Sequence, residues 1–137
     1  MTDIQAAIAA AASGMRAQTT RLRLAAENVA NADSTATGPN GDPFRRRVPL
    51  LESTTLSSGG EGVRVKGATL DMSPFRQEYN PSHPAAGPDG YVRMPNVDTL
   101  VEMMDMRDAS RAYEANLNMI EAARSMTNRA LDLLRKV

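Results

Sequence analysis

The chain has 137 residues, 16 basic against 16 acidic side chains, one histidine, and neither cysteine nor tryptophan. That is the size of one ordinary domain, without the basic excess of a nucleic-acid binder. Having no cysteine excludes disulfide scaffolds, thiolate zinc sites and cysteine nucleophiles together, and leaves either redox compartment open.

The longest clean apolar run, Ala6 to Ala12, is seven residues dominated by alanine, against the roughly 20 apolar residues of a membrane span. A soluble chain with no membrane insertion is expected. A cleaved signal is not expected, because Asp3 stands where a signal would carry Lys or Arg and the stretch behind it is amphipathic. All eight prolines and eight of the nine glycines lie between Gly38 and Pro95. Both ends can therefore be continuous helices, about 45 and 60 Å long at 1.5 Å per residue. Three segments follow: an N-terminal helix over 1–31, a β and loop domain over 32–95, and a C-terminal helix over 96–137.

The first helix is expected to be capped by Thr2, with Gln5 reaching back. Ile4, Ile8, Ala11, Met15, Gln18, Leu22, Ala25 and Val29 advance by alternating steps of four and three, the spacing of a coiled-coil seam with one amide in it. On the opposite side Ala6, Ala10, Ser13, Ala17, Thr20 and Leu24 are nearly all small, which lets a second backbone come close. This helix offers two surfaces for partners.

In the middle, FRRRVPLLEST and GVRVKGATLD carry short β-like stretches, with Val63 and Val65 alternating against Arg64 and Lys66 among Gly59, Gly60 and Gly62. A small β hairpin or sheet is expected there. Residues 32–43 and 80–90, rich in Asn, Asp, Ser, Gly and Pro, read as loops.

The second helix is expected to start at Asn96 as N-cap, with Asp98, Glu102, Asp105 and Asp108 leading and Arg129, Arg135 and Lys136 trailing, as the helix dipole favours. Ala112, Asn116, Met119, Ala123, Met126, Ala130, Leu133 and Val137 form its seam. Beside it runs a second stripe of Met106, Tyr113, Leu117, Ile120 and Leu131, an apolar arc wider than one partner helix covers. More than two helices are expected to meet here.

Little in the chain suggests catalysis. Met103, Met104 and Met106 offer soft thioether sulfur, but at about 100° per residue they point in three directions and cannot converge on one ion. They read as adaptable packing side chains. His83, fixed between Pro81 and Pro84, has no adjacent acid, base or nucleophile. Arg45, Arg46 and Arg47 read as a solvated or partner-facing strand. No phosphate loop, paired-carboxylate signature or hydrolase elbow is present, so no enzyme, cofactor or metal is expected. Gln18 and Asn116 each interrupt a seam, either as tolerated amides near solvent or as register-setting polar residues. The exposed stripes suggest that the helical ends order fully only when packed among copies or relatives, each buried Leu, Ile or Met contributing roughly 1.5–3 kcal/mol.

Ser13, Gly14 and Met15, then NVANADST from Asn28 to Thr35, resemble the N-terminal signature of flagellar axial proteins, the rod and hook group. YNPSHPAAGPDGYVRMPNV, from Tyr79 to Val97, followed by EMMDMRDASRAYEANL, is similar in detail to the proximal rod subunits, and the likeness covers nearly the whole chain. The loop over Asp33 to Thr37 lacks the Gly-Tyr of hook and distal rod relatives, which favours the proximal rod.

The resemblance implies a mainly α fold with a small β-rich insert, the two long terminal helices pairing as an antiparallel coiled coil around a central β/loop outer domain. It implies a structural subunit of the basal-body rod that carries torque from motor to hook. It also implies export without a cleaved signal through the flagellar type III apparatus. Partners would be copies of itself, other proximal and distal rod proteins, the rod adaptor and the membrane ring at the base. Another proximal rod subunit or a free-standing helical binding module is the alternative. Asn28, Ala30, Asn31 and Thr35 would close the first helix. Subunit contacts are expected from Ile4, Ile8, Met15, Leu22, Asn28, Val29 and Asn31 on that helix. On the second they are expected from Met103, Met104, Met106, Arg111, Tyr113, Asn116, Leu117, Met119, Ile120, Met126 and Leu133.

Overall fold

A computed structural model describes residues 2–137, with side chains from residue 3 onward, so the expected Thr2 cap lies outside the described side chains. Helix α1 (Thr2–Ala30) is followed by β1 (Arg47–Thr55), β2 (Glu61–Leu70), β3 (Arg76–Tyr79) and β4 (Tyr91–Met94), and α2 (Thr99–Arg135) closes the chain. Both helices form where proline is absent and alanine and straight-chain residues dominate. Among the described residues, no helix is long and apolar enough to cross a membrane.

The helices lie side by side and antiparallel. Asn28 meets Glu102, Arg21 meets Asp105, and Gly14 faces Asn116, so the partner's number rises as the position in α1 falls. Gly14, Arg21 and Asn28 make these contacts, one residue round from the expected Met15, Leu22 and Val29, which are half-buried on the flank, while Ala11 and Ala25 of the expected seam are buried. On α2, Glu102, Ala109 and Ala123 are buried toward α1 while Met119 and Met126 stay exposed. The seven-residue spacing was legible, but its rotation follows from small and hydrogen-bonding side chains, which let two backbones approach more closely than methionine does.

The small face of α1 is covered by the β1–β2 hairpin of the same chain. The Ser13 hydroxyl donates to the Ala10 carbonyl (2.6 Å) and accepts from the Val63 N–H (3.1 Å). Gly60 comes so near α1 that a Cβ there would lie 3.3 Å from the Ala6 methyl. Ala17 and Leu24 are buried on this side. A second backbone does approach, and it is β2.

The hairpin pairs Arg47 with Leu70 at its base and Thr55 with Glu61 at its tip, with a bulge where Leu50 pairs with Gly67 and Leu51 with Val65. A second antiparallel pair, β3–β4, runs from Arg76↔Met94 to Tyr79↔Tyr91 and was not anticipated. Its connection is the expected loop over 80–90, closed by an edge-to-face contact between Tyr79 and Tyr91 at 5.3 Å. Gly90, at φ +82°, is required there twice over, since a Cβ would also meet the Tyr79 ring at 2.7 Å. The start of α2 differs from expectation. Asp98, not Asn96, is the N-cap, its carboxylate accepting from the Leu100 and Val101 N–H groups. Asn96 is used elsewhere.

Alanine normally stabilises a helix interior by roughly 0.5–1 kcal/mol relative to glycine. A Cβ on Gly14, however, would lie 2.8 Å from Nδ2 and 3.1 Å from Cγ of Asn116. Gly14→Ala is therefore expected to lower the midpoint of thermal unfolding followed by circular dichroism, and to raise it once Asn116→Ala is also present. A higher midpoint for Gly14→Ala alone would remove close approach as the reason for glycine.

Candidate functional site

Four segments meet at one polar junction: the end of α1, the start of β1, the turn after β2 and the first turn of α2. The Asn28 amide accepts from the Arg47 N–H (3.0 Å) and donates to the Arg47 carbonyl (2.8 Å), pairing with the first residue of β1 as a neighbouring strand would. One residue earlier, the Asn96 carbonyl oxygen accepts from the Arg46 N–H (2.8 Å), and its NH₂ donates to the Asp71 carbonyl (2.9 Å) and to Ser73. Two asparagines thus grip successive peptide groups of the strand from the ends of two different helices.

Glu102 sits at the centre, 1% exposed. One carboxylate oxygen accepts from Nε of Arg46 and the other from the Asn28 amide at 3.3 Å. Arg46 also reaches Asp71 at 3.5 Å. Burial alone would lower the Arg46 pKa, but hydrogen bonding and charge attraction from Glu102, joined by Asp71, raise it above its ordinary value. Asp71 is held below the usual carboxylate range, first by the Ser73 N–H (2.9 Å) and hydroxyl, and then, against a smaller opposing effect of burial, by Arg46. Every buried polar atom of the junction has a partner, as a buried charge requires.

The chain around the junction is closed by the residues after Asn28. The Asn31 N–H and side-chain NH₂ both donate to the Glu27 carbonyl (3.0 and 2.9 Å), ending α1, and the Ser34 hydroxyl donates to Asn31 Oδ1. His83 Nδ1 accepts from the Ala85 N–H (3.0 Å), which makes it a turn-forming residue. Among the described residues no group of three or more His, Asp or Glu could hold a metal ion. The arginine triplet is not one solvated strand. Arg45 stacks 4.0 Å over Phe75 and donates to the Asp71 and Ser73 carbonyls, Arg46 is in the junction, and only Arg47 is exposed.

The residues expected to contact other subunits divide into groups. Asn28 is buried with its amide engaged inside the subunit. Ile4 and Ile8 line a cleft with Arg124 and Thr127, and Met15 lines another with Tyr113 and Ile120. Leu22, Val29, Asn31, Met106 and Asn116 are half-buried. Met103 (60%), Met104 (59%), Arg111, Leu117, Met119, Met126 and Leu133 are exposed. Leu100 and Val101, not anticipated, add to the exposed apolar surface at the start of α2. Sequence reasoning also missed Glu102 and Asp71 as paired charges. Glu102 looked like one of several helix-leading acids, and its one local signal is an acid between Val101 and Met103.

A family model described as the flagellar basal body rod FlgEFG protein C-terminal region matches residues 89–133. The chain is 45% identical over 136 residues to the flagellar basal-body rod protein FlgC of Agrobacterium fabrum, covering 98% of each chain. It is 40% identical over 124 residues to the FlgC of Salmonella typhimurium, with 90% of this chain and 92% of the relative covered. To the FlgC of Bacillus subtilis it is 37% identical, over 89% of this chain and 92% of the relative.

Arg46→Ala would leave the Glu102 charge buried without its cation, a change that costs about 3–5 kcal/mol when such a pair is fully enclosed. The partial exposure of Arg46 puts the expected loss near the low end, measured by urea unfolding, and Arg46→Met combined with Glu102→Leu should recover most of it. An unchanged midpoint for Arg46→Ala would show that the pair does not hold the junction. Because the Asp71 pKa is depressed on folding, its contribution is complete above its unfolded value of about 3.9 and is lost as pH falls below that. Asp71→Asn should flatten the stability profile below about pH 4 while lowering stability at pH 7, and a profile parallel to that of the parent would contradict the assignment.

Proposed function

The chain belongs to the FlgC family of flagellar basal-body rod proteins, and we propose that it is a structural subunit of the proximal rod, built into the shaft that carries torque from motor to hook. Rod proteins of this family are structural rather than enzymatic. The observation that carries the reading is the uneven covering of the two helices. Helix α1 is packed on one side by α2 and on the other by the hairpin, whereas α2 leaves Met103, Met104, Leu117, Met119, Met126 and Leu133 at the surface. An apolar band of this extent on an isolated subunit marks an interaction surface.

On this reading α1 and α2 form an antiparallel coiled-coil inner core, residues 32–95 form the outer domain, and the junction fixes the angle between them. Met103, Met104 and Met106 lie on one turn of helix and point in three directions, the first two exposed and the third half-buried, which suits a turn surrounded by different neighbours. Copies of the chain, other rod proteins, the rod adaptor and the membrane ring are the proposed partners, with the type III export apparatus met in transit. Packing among these neighbours would complete the order of the helical ends.

Assembly and folding can be separated experimentally. Met104→Lys and Met126→Lys change exposed residues, so each should alter stability by no more than about 0.5 kcal/mol. In a strain lacking its own FlgC, the parent chain is expected to restore swimming and to co-purify with basal bodies. Each variant should fold normally and fail in both. Full swimming by both variants would remove the α2 face from the assembly surface, and failure of the parent chain would overturn the rod reading itself.

A further inference from the structure

An open groove of ≈ 910 Å³ runs between the hairpin and α2, with α1 as its floor. Ala10, Ala11 and Gly14 keep the floor shallow in side chain, and Leu51, Val63 and Met119, all exposed large hydrophobics, form the walls. Glu52 and Glu61 stand on the hairpin rim. Glu52 is paired with Arg64 and Lys66, while among the described residues Glu61 has only the Ser53 and Thr55 hydroxyls. The rim therefore carries one carboxylate with no cation.

The complementary surface is at the far end of α2. Ile4 and Gln5, near the start of α1, lie beside Thr127 and Asn128, and α2 continues beyond them for about two more turns. This overhang exposes Leu131, Leu133 and Leu134 (74%) and carries three cations, Arg129, Arg135 and Lys136, against one acid, Asp132, with no ion pair to any of the three among the described residues. Its chemistry, apolar with a net positive charge, matches an apolar groove with a free carboxylate on its rim. It cannot fold back into its own groove, because Leu134 lies about 22 Å further along the same helix than Met119.

We infer that the α2 overhang of a second copy of this chain docks in the groove between the hairpin and α2, with its leucines against Leu51, Val63 and Met119 and a basic side chain on Glu61. The inference rests on the proposed assembly role and adds to it a defined contact and a direction. The donor and acceptor surfaces differ, so the contact is heterologous and staggered along the helix axis, and each copy can give a tail and receive one. Such a contact propagates instead of closing on itself.

The chain has no cysteine, so engineered disulfides report this contact without background. Ser53→Cys with Leu134→Cys, and separately Ser53→Cys with Leu131→Cys, would be introduced in a strain lacking its own FlgC, and basal bodies isolated after mild oxidation. A ladder of disulfide-linked multimers on a non-reducing denaturing gel is expected from at least one pair, and none from the single variants. Swimming cells whose chain remains monomeric with both pairs would overturn the inference and leave the rod reading intact. A closed dimer as the sole product would overturn the stagger, and a product joining the chain to a different rod protein would overturn the second copy as occupant. If the cysteine-free chain failed to restore swimming, the rod reading and this inference would fall together.

Discussion

The fold turns on one buried carboxylate. Glu102 is drawn into the interior where α1, β1 and α2 converge, and an ionised group in that position is tolerated only with a cation and a full set of hydrogen-bond donors. Arg46 supplies the cation from the strand, and Asn28 supplies an amide from the other helix. The ion pair therefore does more than link two residues. It requires the start of β1 to sit between the helices, and it sets where the hairpin leaves them. Asn28 and Asn96 then fix the same strand through its peptide groups, so the junction is held by both charge and backbone.

From that point the packing follows. With β1 anchored at the end of α1, the hairpin must run back along the small face of α1, where Ser13 takes the place of a backbone acceptor for Val63. Helix α1 becomes the middle layer and has little surface left. Helix α2 is held on one side only, by contacts that are small or polar: Ala109, Asn116, Ala123 and the Arg21–Asp105 pair. Its larger apolar side chains are consequently on the outside. Apart from Leu24, the side chains buried in the helices are mostly small or polar, while many methionines and leucines stay exposed, an apolar surface larger than a self-contained domain usually shows. Methionine suits that surface, because an unbranched and polarizable side chain can fit several neighbours.

Much of this was legible in the sequence for physical reasons that are local. Proline and glycine confined to residues 38–95 bound the irregular region, since both act on the backbone where they stand. The seven-residue spacing, the hairpin around Gly59 and Gly60, and the loops over 32–43 and 80–90 depend on neighbours in the chain. The second sheet was not legible, because β3 and β4 are four residues each and are joined by a long turn-rich loop. Asn96 could not be separated from Asp98 as a cap by type alone, both being good caps. Asn96 was taken by a long-range demand, the Arg46 and Asp71 peptide groups.

The sequence by itself determined two long helices around a β-rich insert, wide apolar stripes along both helices, and membership of the flagellar rod family. The first two are carried by composition and periodicity, and the third by the resemblance of the motifs from Ser13 to Thr35 and from Tyr79 to Leu117. Only the tertiary structure decided which residues of each helix face inward. On α1 the close and polar contacts to α2 fall at Gly14, Arg21 and Asn28, about 100° round the helix from Met15, Leu22 and Val29, while Ala11 and Ala25 of the expected seam stay buried. That choice was made by the closeness the backbones could reach and by the partners that buried polar groups required. It was tertiary structure, too, that made Glu102 and Arg46 a pair, since 56 residues separate them along the chain and no local preference reports which acid will be buried or which of three adjacent arginines will be buried with it.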